Sequence, residues 1–307
     1  MTKCIHPKNQ FHFQDFTEKR ISFGVNALDK ITNGGLIEGE PSLSFICSRT
    51  GVGKTLFLVH LACSAMMQNK NVLFITSECS KKVIFKRVQS NLLPTIANNK
   101  NYYTPIIQQN LGKLWVSDQT FCESRELIVE SLLVENWSDD SPEPDIILID
   151  DINQFVDSKN KIGFSPYHKL SSELNIPVVT SRSTIRKNLD NPYNSIATSK
   201  YYDTVGQYQN IAGGEVNQTN DTDNDYSTLL NTVEYSLSVW NELGLSVIDY
   251  SVASLILSLE IPEKNVHGLS SCIEVKPIKN RFGRFSRKDT IILNRNSRQM
   301  RLDDVQS

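Results

Sequence analysis

The sequence has no apolar run of the roughly 20 residues that a membrane-spanning helix requires. Its first residues, MTKCIHPKNQFHFQDF, are polar and aromatic and lack the pattern of a secretory signal peptide. No CxxC pair and no cysteine–histidine group of the kind that binds metals occurs among the six cysteines, which are Cys4, Cys47, Cys63, Cys79, Cys122 and Cys272. We therefore expect a cytoplasmic protein with reduced thiols and no membrane association, whose chemistry uses neither disulfides nor a cysteine-bound metal.

A strong excess of charge is also missing, since the formal net charge is -2. The charges are unevenly distributed along the chain, however. Residues 273–301 contain many Lys and Arg and only two acids, Glu274 and Asp289, whereas Lys200 is the only Lys or Arg in residues 188–242. The basic end suggests phosphate-rich partners, although solvated charges on edge strands would give the same composition.

The sequence does contain an alternation of short apolar runs with helical stretches. The predicted strands are SLSFIC (42–47), NVLFITS (71–77), KLWVSD (113–118), DIILID (145–150) and IPVVTSR (176–182). The predicted helices are TLFLVHLACSAMMQ (55–68) and KKVIFKRVQSNLL (81–93). This alternation predicts an α/β fold with a parallel sheet covered on both faces.

Two later segments depart from that alternation. After residue 242 the runs SVASLILSLEI, SSCIEVKPIKN and TIILN follow with little helix between them, which predicts antiparallel strands that extend the sheet. Residues 188–231 are rich in Asn, Asp, Thr, Ser and Gly. We predict that this stretch is a polar, acidic and partly disordered insertion.

Residues 48–55, SRTGVGKT, match the phosphate-loop pattern except that Ser48 replaces its first glycine. The two glycines would let the backbone wrap closely, so that N–H groups and the following helix N-terminus face an anion. In this pattern Lys54 reaches the β- and γ-phosphates and Thr55 binds Mg²⁺. The predicted nucleotide-binding residues are Ser48, Arg49, Thr50, Gly51, Val52, Gly53, Lys54 and Thr55. A chance glycine loop is disfavoured by the apolar strand before it and the apolar helix after it.

Two carboxylates follow predicted strands. Asp150 ends DIILID, where a carboxylate would hold the Mg²⁺ shell of a bound nucleotide, and Asp151 is a second candidate. Glu78 lies just past NVLFITS, where it could polarise the attacking water or could simply cap or solvate the next helix.

These motifs together resemble the RecA-like motor domain of the DnaB-type replicative DNA helicases, most closely the T-even phage type. ISFGVNALDKITNGGLIEGE, the phosphate loop, NVLFITSECSKKVIFKRVQSNLL, DIILIDDINQF, NIPVVTSRSTIR, LGLSVIDYSVASLILSL and IEVKPIKNRFG occur in the family's order. The resemblance covers residues 21–302 around the insertion, and leaves residues 1–20 as an N-terminal arm and 303–307 as a tail. It implies a RecA-like P-loop ATPase fold with a central, mainly parallel sheet, flanking helices and a C-terminal β-hairpin.

The resemblance also implies roles for individual residues. Glu78 corresponds to the family's catalytic glutamate, and Lys54 to its catalytic lysine. Lys279 and Arg281 match a Lys-x-Arg pair that reaches the neighbouring subunit's ATP as γ-phosphate sensor and arginine finger. By themselves, these two residues could equally be solvated edge-strand charges. The implied partners are single-stranded DNA, further copies of the chain in a ring of six, and a primase or helicase loader.

Three departures from the family pattern bear on DNA coupling. Ser183 and Ile185 stand where the family has Gln and Asn, although Arg186 is kept. The acidic insertion occupies the place of a DNA-contacting loop, which leaves Lys159, Lys161 and Arg186 as the DNA-contact candidates. We also expect the family's N-terminal domain to be absent, and FHFQDF would be an arm that docks on a neighbour or packs on its own domain.

The sequence therefore predicts an ATP-hydrolysing, phage-encoded DNA helicase motor of the host cytoplasm that translocates on single-stranded DNA. Two alternatives stay open. One is a RecA/KaiC-like ATPase that acts in recombination or regulation without unwinding. The other is a degenerate ATP-binding protein that caps or loads a true helicase.

Overall fold

The computed structural model describes residues 18–98, 111–118, 143–150, 166–184, 251–262, 272–284 and 290–305. The helices are α1 (Asn26–Ile31), α2 (Lys54–Met67), α3 (Lys81–Asn98) and α4 (Pro166–Leu174). The first strands are β1 (Arg20–Ile21), β2 (Leu36–Ile37), β3 (Ser42–Ser48), β4 (Val72–Thr76), β5 (Leu114–Ser117) and β6 (Ile146–Asp150). The remaining strands are β7 (Pro177–Ser183), β8 (Leu255–Glu260), β9 (Cys272–Asn280), β10 (Ile291–Asn296) and β11 (Arg301–Asp304).

Within these ranges, nine strands form one sheet in the order β11-β10-β9-β8-β3-β7-β6-β4-β5, and β1 pairs with β2 apart from it. The strands from β8 to β5 are parallel to their neighbours, whereas β9, β10 and β11 are antiparallel. The mainly parallel sheet and its C-terminal β-hairpin are therefore confirmed. One strand prediction was wrong in part, because β8 is antiparallel to β9, as predicted, but parallel to β3. Residues 184–254 precede β8, and so long a connection allows a parallel crossover.

Successive residues of the parallel strands pack into two apolar layers on opposite faces of the sheet. In β4, Val72 and Phe74 contact the layer that contains α2 and α3, while Leu73 and Ile75 contact the layer that contains α4. Strands buried on both faces carry near-continuous apolar runs, which is why these segments were recognisable in the sequence. Both layers hold the carboxyl ends of the parallel strands at one edge of the sheet, where the candidate site lies.

The C-terminal strand β11 was not predicted from the sequence. It includes Asp303 and Asp304, which the sequence analysis assigned to a tail. The carboxylate of Asp304 accepts hydrogen bonds from the backbone N–H groups of Asn26 and Ala27, at 2.9 and 3.1 Å. A side chain at the far end of the sequence thus caps α1, whose own N-cap residue, Val25, makes no side-chain cap.

Several predicted features lie outside the described residues: Asp151, Lys159, Lys161, Ile185, Arg186, residues 1–17 of the arm and the insertion at 188–231. Of the helices in the described ranges, none combines the length and the apolar character needed to cross a membrane.

Candidate nucleotide-binding site

The phosphate-loop motif forms the turn between the end of β3 and the start of α2. Gly51 and Gly53 have φ values of +83° and +135°, which residues with a side chain rarely adopt. A Cβ atom on Gly51 would meet nothing within 4 Å, so the backbone conformation and not crowding requires glycine there. Gly53 provides no side-chain cap to α2. The N–H groups of its first turn therefore suit an anion.

Lys54 is folded inward against the loop that precedes it. Its Nζ lies 3.5 Å from the carbonyl oxygens of both Ser48 and Arg49, and the residue is only 6% exposed. The Ser48 side chain, which replaces the first glycine of the motif, donates a hydrogen bond to the Arg49 carbonyl at 2.9 Å. The loop therefore accommodates the serine and directs a buried cation into its own concavity.

Asp150 is the carboxylate that the fold brings to this loop. It is fully buried at the end of β6, and its Oδ2 accepts a hydrogen bond from Thr55 Oγ1 at 2.9 Å. Its other oxygen, Oδ1, accepts one from Ser181 Oγ at 3.0 Å. The structure thus brings together the predicted pair Thr55 and Asp150, which lie 95 positions apart in the sequence.

Sequence analysis missed Ser181, which orients Asp150 from the neighbouring strand. Ser181 lies on β7, between β3 and β6 in the sheet. No local motif marks it, since one of the two serines in VVTSRS becomes important only through the strand order. A search for a polar residue on the strand adjacent to Asp150 would have required knowledge of that order.

The residue types at this point fit a magnesium–nucleotide complex. Hydroxyl and carboxylate oxygens are the hard ligands that Mg²⁺ prefers, and Thr55 and Asp150 supply one of each. Successive backbone N–H groups at a glycine loop and a cationic side chain suit a polyphosphate. The loop, Lys54, Thr55 and Asp150 together therefore have the chemistry to hold both groups.

Glu78 lies at the same edge of the sheet as Asp150. It is exposed and follows β4 by two residues, and Thr76 of β4 pairs in register with Asp150. The charges of both carboxylates act on the thiol of the adjacent Cys79. Burial raises the pKa of its thiol most, Arg87 opposes this, and Asp150 and Glu78 raise the pKa further. The structure therefore places Glu78 two residues beyond the strand end that pairs with Asp150.

The departure at Ser183 also lies directly beside the phosphate loop. Ser183 is the register partner of Ser48, and the next residue, Thr184, donates its N–H to the Ser48 carbonyl at 2.9 Å. The end of β7 and the start of the loop are thus hydrogen-bonded to each other. A side chain at position 183 is therefore close to the phosphate loop. Serine is shorter than the glutamine of the resembled family and cannot form the same bridging hydrogen bonds.

Lys279 and Arg281 lie at the opposite edge of the sheet and not beside Lys54. Both side chains donate to the Ser251 carbonyl, at 3.2 and 2.9 Å. The backbone N–H of Arg281 bonds to Ser254, whose own N–H bonds to Leu43 at the start of β3. Burial, reinforced by the charge of Arg281, lowers the pKa of Lys279 to about 8. The pair is separated from the chain's own phosphate loop by the length of β3, roughly 20 Å.

Comparisons with known proteins address the fold and the phosphate-loop region. The model of the KaiC ATPase family matches residues 21–93. A DnaB-like replicative helicase of Enterobacteria phage T4 is 35% identical over 75 residues, 24% of this chain and 15% of that protein. The DNA repair protein RadA of Campylobacter jejuni is 32% identical over 108 residues, 35% of this chain and 22% of that protein. The circadian clock protein KaiC2 of Synechocystis is 40% identical over 81 residues, 25% of this chain and 14% of that protein. These matches therefore span less than a quarter of each relative.

Three solved structures share the fold over nearly the whole chain. One, described as an ATPase domain, has a TM-score of 0.59 at 15% identity and covers 95% of this chain and 94% of its own. A DnaB-like replicative helicase, solved in a study of its interactions with primase, has a TM-score of 0.60 at 14% identity. The match covers 95% of this chain and 65% of the helicase chain. The RadB recombinase has a TM-score of 0.53 at 13% identity, and the match covers 93% of this chain and 100% of the recombinase chain.

The solved structures confirm the predicted RecA-like fold, and the comparisons bear out the resemblance to DnaB-type motor domains. The chain has a RecA-like fold, and parts of its sequence are similar to a DnaB-like helicase, to RadA and to the KaiC ATPase family.

Proposed function

We propose that the chain is a motor subunit that hydrolyses Mg²⁺-ATP between adjacent copies of itself and translocates on single-stranded DNA. One observation carries the proposal: the charged groups suited to ATP are divided between two opposite edges of the sheet. Lys54 and Asp150 are buried at the carboxyl edge, and the half-buried Thr55 donates a hydrogen bond to Asp150. Lys279 and Arg281 lie at the other edge, too far from the chain's own phosphate loop to contact a nucleotide bound there.

In the proposed site, each subunit's own residues bind the nucleotide. The phosphate-loop N–H groups and Lys54 bind the β- and γ-phosphates, while Thr55 and Asp150 hold the magnesium ion. When bound, that ion neutralises charge on the phosphate oxygens. Ser181 keeps the Asp150 carboxylate in its orientation through the 3.0 Å hydrogen bond. Glu78 accepts a proton from the attacking water, because its exposed carboxylate stands at the same strand edge.

The neighbour completes the site. Arg281 of one copy stabilises the charge that develops on the phosphoryl group of the next, and Lys279 contacts its γ-phosphate. Because donor and acceptor surfaces lie on different edges, the contact is head-to-tail, and its repetition closes into a ring when the rotation allows. A ring of six follows the resemblance to DnaB-type motors. A primase or helicase loader is the proposed protein partner, since one DnaB-like structural neighbour was solved with reference to primase.

Single-stranded DNA is the proposed track. The DNA-contact candidates Lys159, Lys161 and Arg186 lie outside the described residues and stay a prediction. The similarity to a DnaB-like helicase and to a DNA repair protein supports a nucleic-acid partner.

A mixing experiment tests the shared site. Lys54→Ala removes the phosphate contact, and Arg281→Ala removes the charge supplied to the neighbour, so each variant alone should be nearly inactive. Mixed rings should regain ATPase activity, since an Arg281→Ala loop next to a Lys54→Ala subunit forms an intact site. The matched control mixes Lys54→Ala with the double variant, which can form no intact site. No recovery in mixtures that demonstrably co-assemble would contradict the sharing of sites between subunits.

A second candidate function, a RecA/KaiC-like ATPase that does not unwind DNA, is favoured by Ser183. Ser183, the register partner of Ser48, is too short to form the hydrogen bonds by which a glutamine would connect the γ-phosphate to the DNA-contacting loops. The steady-state ATPase rate with and without single-stranded DNA separates the two. Strong stimulation that is lost in Glu78→Gln supports the motor. An ATPase rate that single-stranded DNA does not change supports the second candidate, and ATP binding without hydrolysis indicates a helicase accessory protein.

A further inference from the structure

An arginine from the C-terminal hairpin contacts the phosphate loop of its own chain. Arg295, on β10, donates from Nη1 to the carbonyl oxygen of Val52 at 3.0 Å. Its aliphatic stem covers the neighbouring glycine, because a Cβ atom on Gly53 would lie 3.8 Å from Arg295 Cδ. Neither the phosphate-loop motif nor the site described above includes this residue.

The sheet geometry explains why Arg295 reaches the loop. β10 is antiparallel to β9, which is antiparallel to β8, so β10 runs in the direction of β3 and ends at the same edge. Ile291, Leu293 and Arg295 alternate onto one face of β10. The first two are buried in the apolar layer that contains α2. Arg295 continues that face to the point where α2 begins, and therefore meets the loop instead of the helix.

The loop is a segment in which one added restraint matters. Val52 lies between Gly51 and Gly53, both at positive φ, and glycines leave the backbone more conformational freedom than other residues. The N–H of Val52 bonds to the Arg49 carbonyl at 3.4 Å, a long hydrogen bond. A charge-assisted bond from a guanidinium to the Val52 carbonyl is stronger than a neutral one. It restrains the peptide between the two glycines.

The guanidinium also adds positive charge to the wall of the loop. Its Nε is buried and has no hydrogen-bond partner among the described residues. A cation held there favours the approach of a polyanion. Anchor and charge thus act on the same loop.

We infer that Arg295 is a positioning residue that holds the phosphate loop, through the Val52 carbonyl, in the conformation that accepts nucleotide phosphates. Its effect on nucleotide rests on the proposed function, whereas its anchoring of the loop does not. Arg295 acts through the loop backbone and is not a catalytic residue.

The anchoring is tested first in nucleotide-free protein by amide hydrogen exchange of the peptide that contains residues 49–53. Arg295→Met should raise exchange of this peptide by about tenfold, the effect of losing one charge-assisted hydrogen bond. Arg295→Lys, which keeps the charge and one donor, should give an intermediate rate. The matched control is Arg298→Met, which removes an exposed arginine from the same end of the hairpin and should leave the loop unchanged.

The consequence for nucleotide is tested by equilibrium binding of a fluorescent ATP analogue to the same variants, with thermal unfolding as a check on folding. Arg295→Met should weaken binding by roughly 10- to 100-fold, with partial rescue in Arg295→Lys. The Michaelis constant for ATP should rise by a similar factor while kcat changes little, because binding and not chemistry depends on the anchor.

The outcomes separate this inference from the proposed function. If wild-type protein binds the analogue and Arg295→Met matches Arg298→Met in both exchange and affinity, the inference is wrong and the function stands. If wild-type protein does not bind the analogue, the proposed function fails, and the role of Arg295 in nucleotide binding fails with it. A folded Arg295→Met protein with a faster-exchanging loop and weakened affinity supports the inference.

Discussion

The two edges of the parallel sheet carry different kinds of charged group. At the carboxyl edge, Lys54 and Asp150 are buried and bonded to groups of the same chain. At the opposite edge, Arg281 is exposed, and both it and Lys279 bond to the backbone carbonyl of Ser251. One edge is thus organised around its own loop, and the other presents cations outward.

In the proposed function, these two edges are half-sites that cannot meet within a single chain. A buried cation and carboxylate can be arranged for catalysis in advance, because their own fold satisfies them. The exposed Arg281 costs little to keep in water, and its electrostatic interactions become strong only when a partner's nucleotide removes that water. Repetition of the chain is therefore the means by which the two halves would be joined.

The largest expected effect comes from breaking the outward-facing half. Arg281→Ala should lower kcat for ATP by about 10³- to 10⁵-fold while ATP affinity stays close to wild type, because the arginine finger acts on the transition state. Lys54→Ala should instead abolish binding. The measurement is steady-state ATPase beside equilibrium ATP binding. Arg284→Ala, an exposed arginine three residues further on, is the control. Equal loss in Arg281→Ala and Arg284→Ala would argue for general charge and not a finger.

A second prediction concerns the helix that carries the carboxyl-edge half-site. His60 of α2 is buried, and its Nδ1 accepts the N–H of Leu302 at 3.2 Å. Burial lowers its pKa to about 4, Asp303 opposing and Arg301 adding to that shift. The unfolded chain therefore binds a proton that the folded chain does not between pH 6.5 and 4. The free energy of unfolding should fall by about 3 kcal/mol as pH drops through this window.

Chemical denaturation at several pH values measures this effect. His60→Asn keeps an acceptor for the Leu302 N–H but does not titrate, so the difference in pH slope between it and wild type isolates His60. Identical slopes would show that His60 is not the group responsible.

The third prediction tests what holds the opposite edge in place. Gly283 follows Arg281 by two residues in the connection from β9 to β10. A Cβ atom on Gly283 would lie 2.1 Å from the Ile31 carbonyl oxygen. Gly283→Ala must push the hairpin away from α1, which should cost about 2 kcal/mol of stability. It should also reduce the ATPase rate, since the neighbouring arginine moves. Denaturation curves give the stability, and a folded Gly283→Ala protein with wild-type values for both would refute the close packing.

The smallest effect is expected at Lys279. With its pKa lowered to about 8, its amine is partly neutral near pH 7.5, whereas Lys276 on the same strand has a raised pKa because it donates a hydrogen bond to Glu260. Reductive methylation followed by mass spectrometry should label Lys279 before Lys276, by roughly 100-fold in rate. Folding disfavours the charged ammonium, so stability should rise slightly from pH 8 to pH 10.5. Equal labelling rates would exclude the lowered pKa.

Much of the fold was predictable because the relevant signals are local. The runs now seen as β3, β4, β6 and β7 are short and rich in apolar residues, as expected for strands buried on both faces. The direction of β8 was not predictable, because the absence of helix in a sequence does not show which neighbour a strand pairs with. β11 is short, and three of its four residues, RLDD, are charged, so only its pairing with β10 makes it a strand.

The same distinction applies to the candidate site. The phosphate loop was found from eight contiguous residues, since two glycines, a lysine and a threonine at fixed spacing have a local physical reason. Asp150 was found because it ends an apolar run. Ser181 and Arg295 could not be found, because each contributes through a contact with a residue distant in the sequence.

By itself, the sequence determined the phosphate loop, the strands around it and the carboxylates that end two of them, because chain connectivity and hydrophobic burial act locally. Only the tertiary structure decided that Ser181 orients Asp150, that Arg295 anchors Val52, and that Arg281 lies at the opposite edge from Lys54. Strand order and direction decide those contacts, and they arise from packing of the whole chain and not from any one segment.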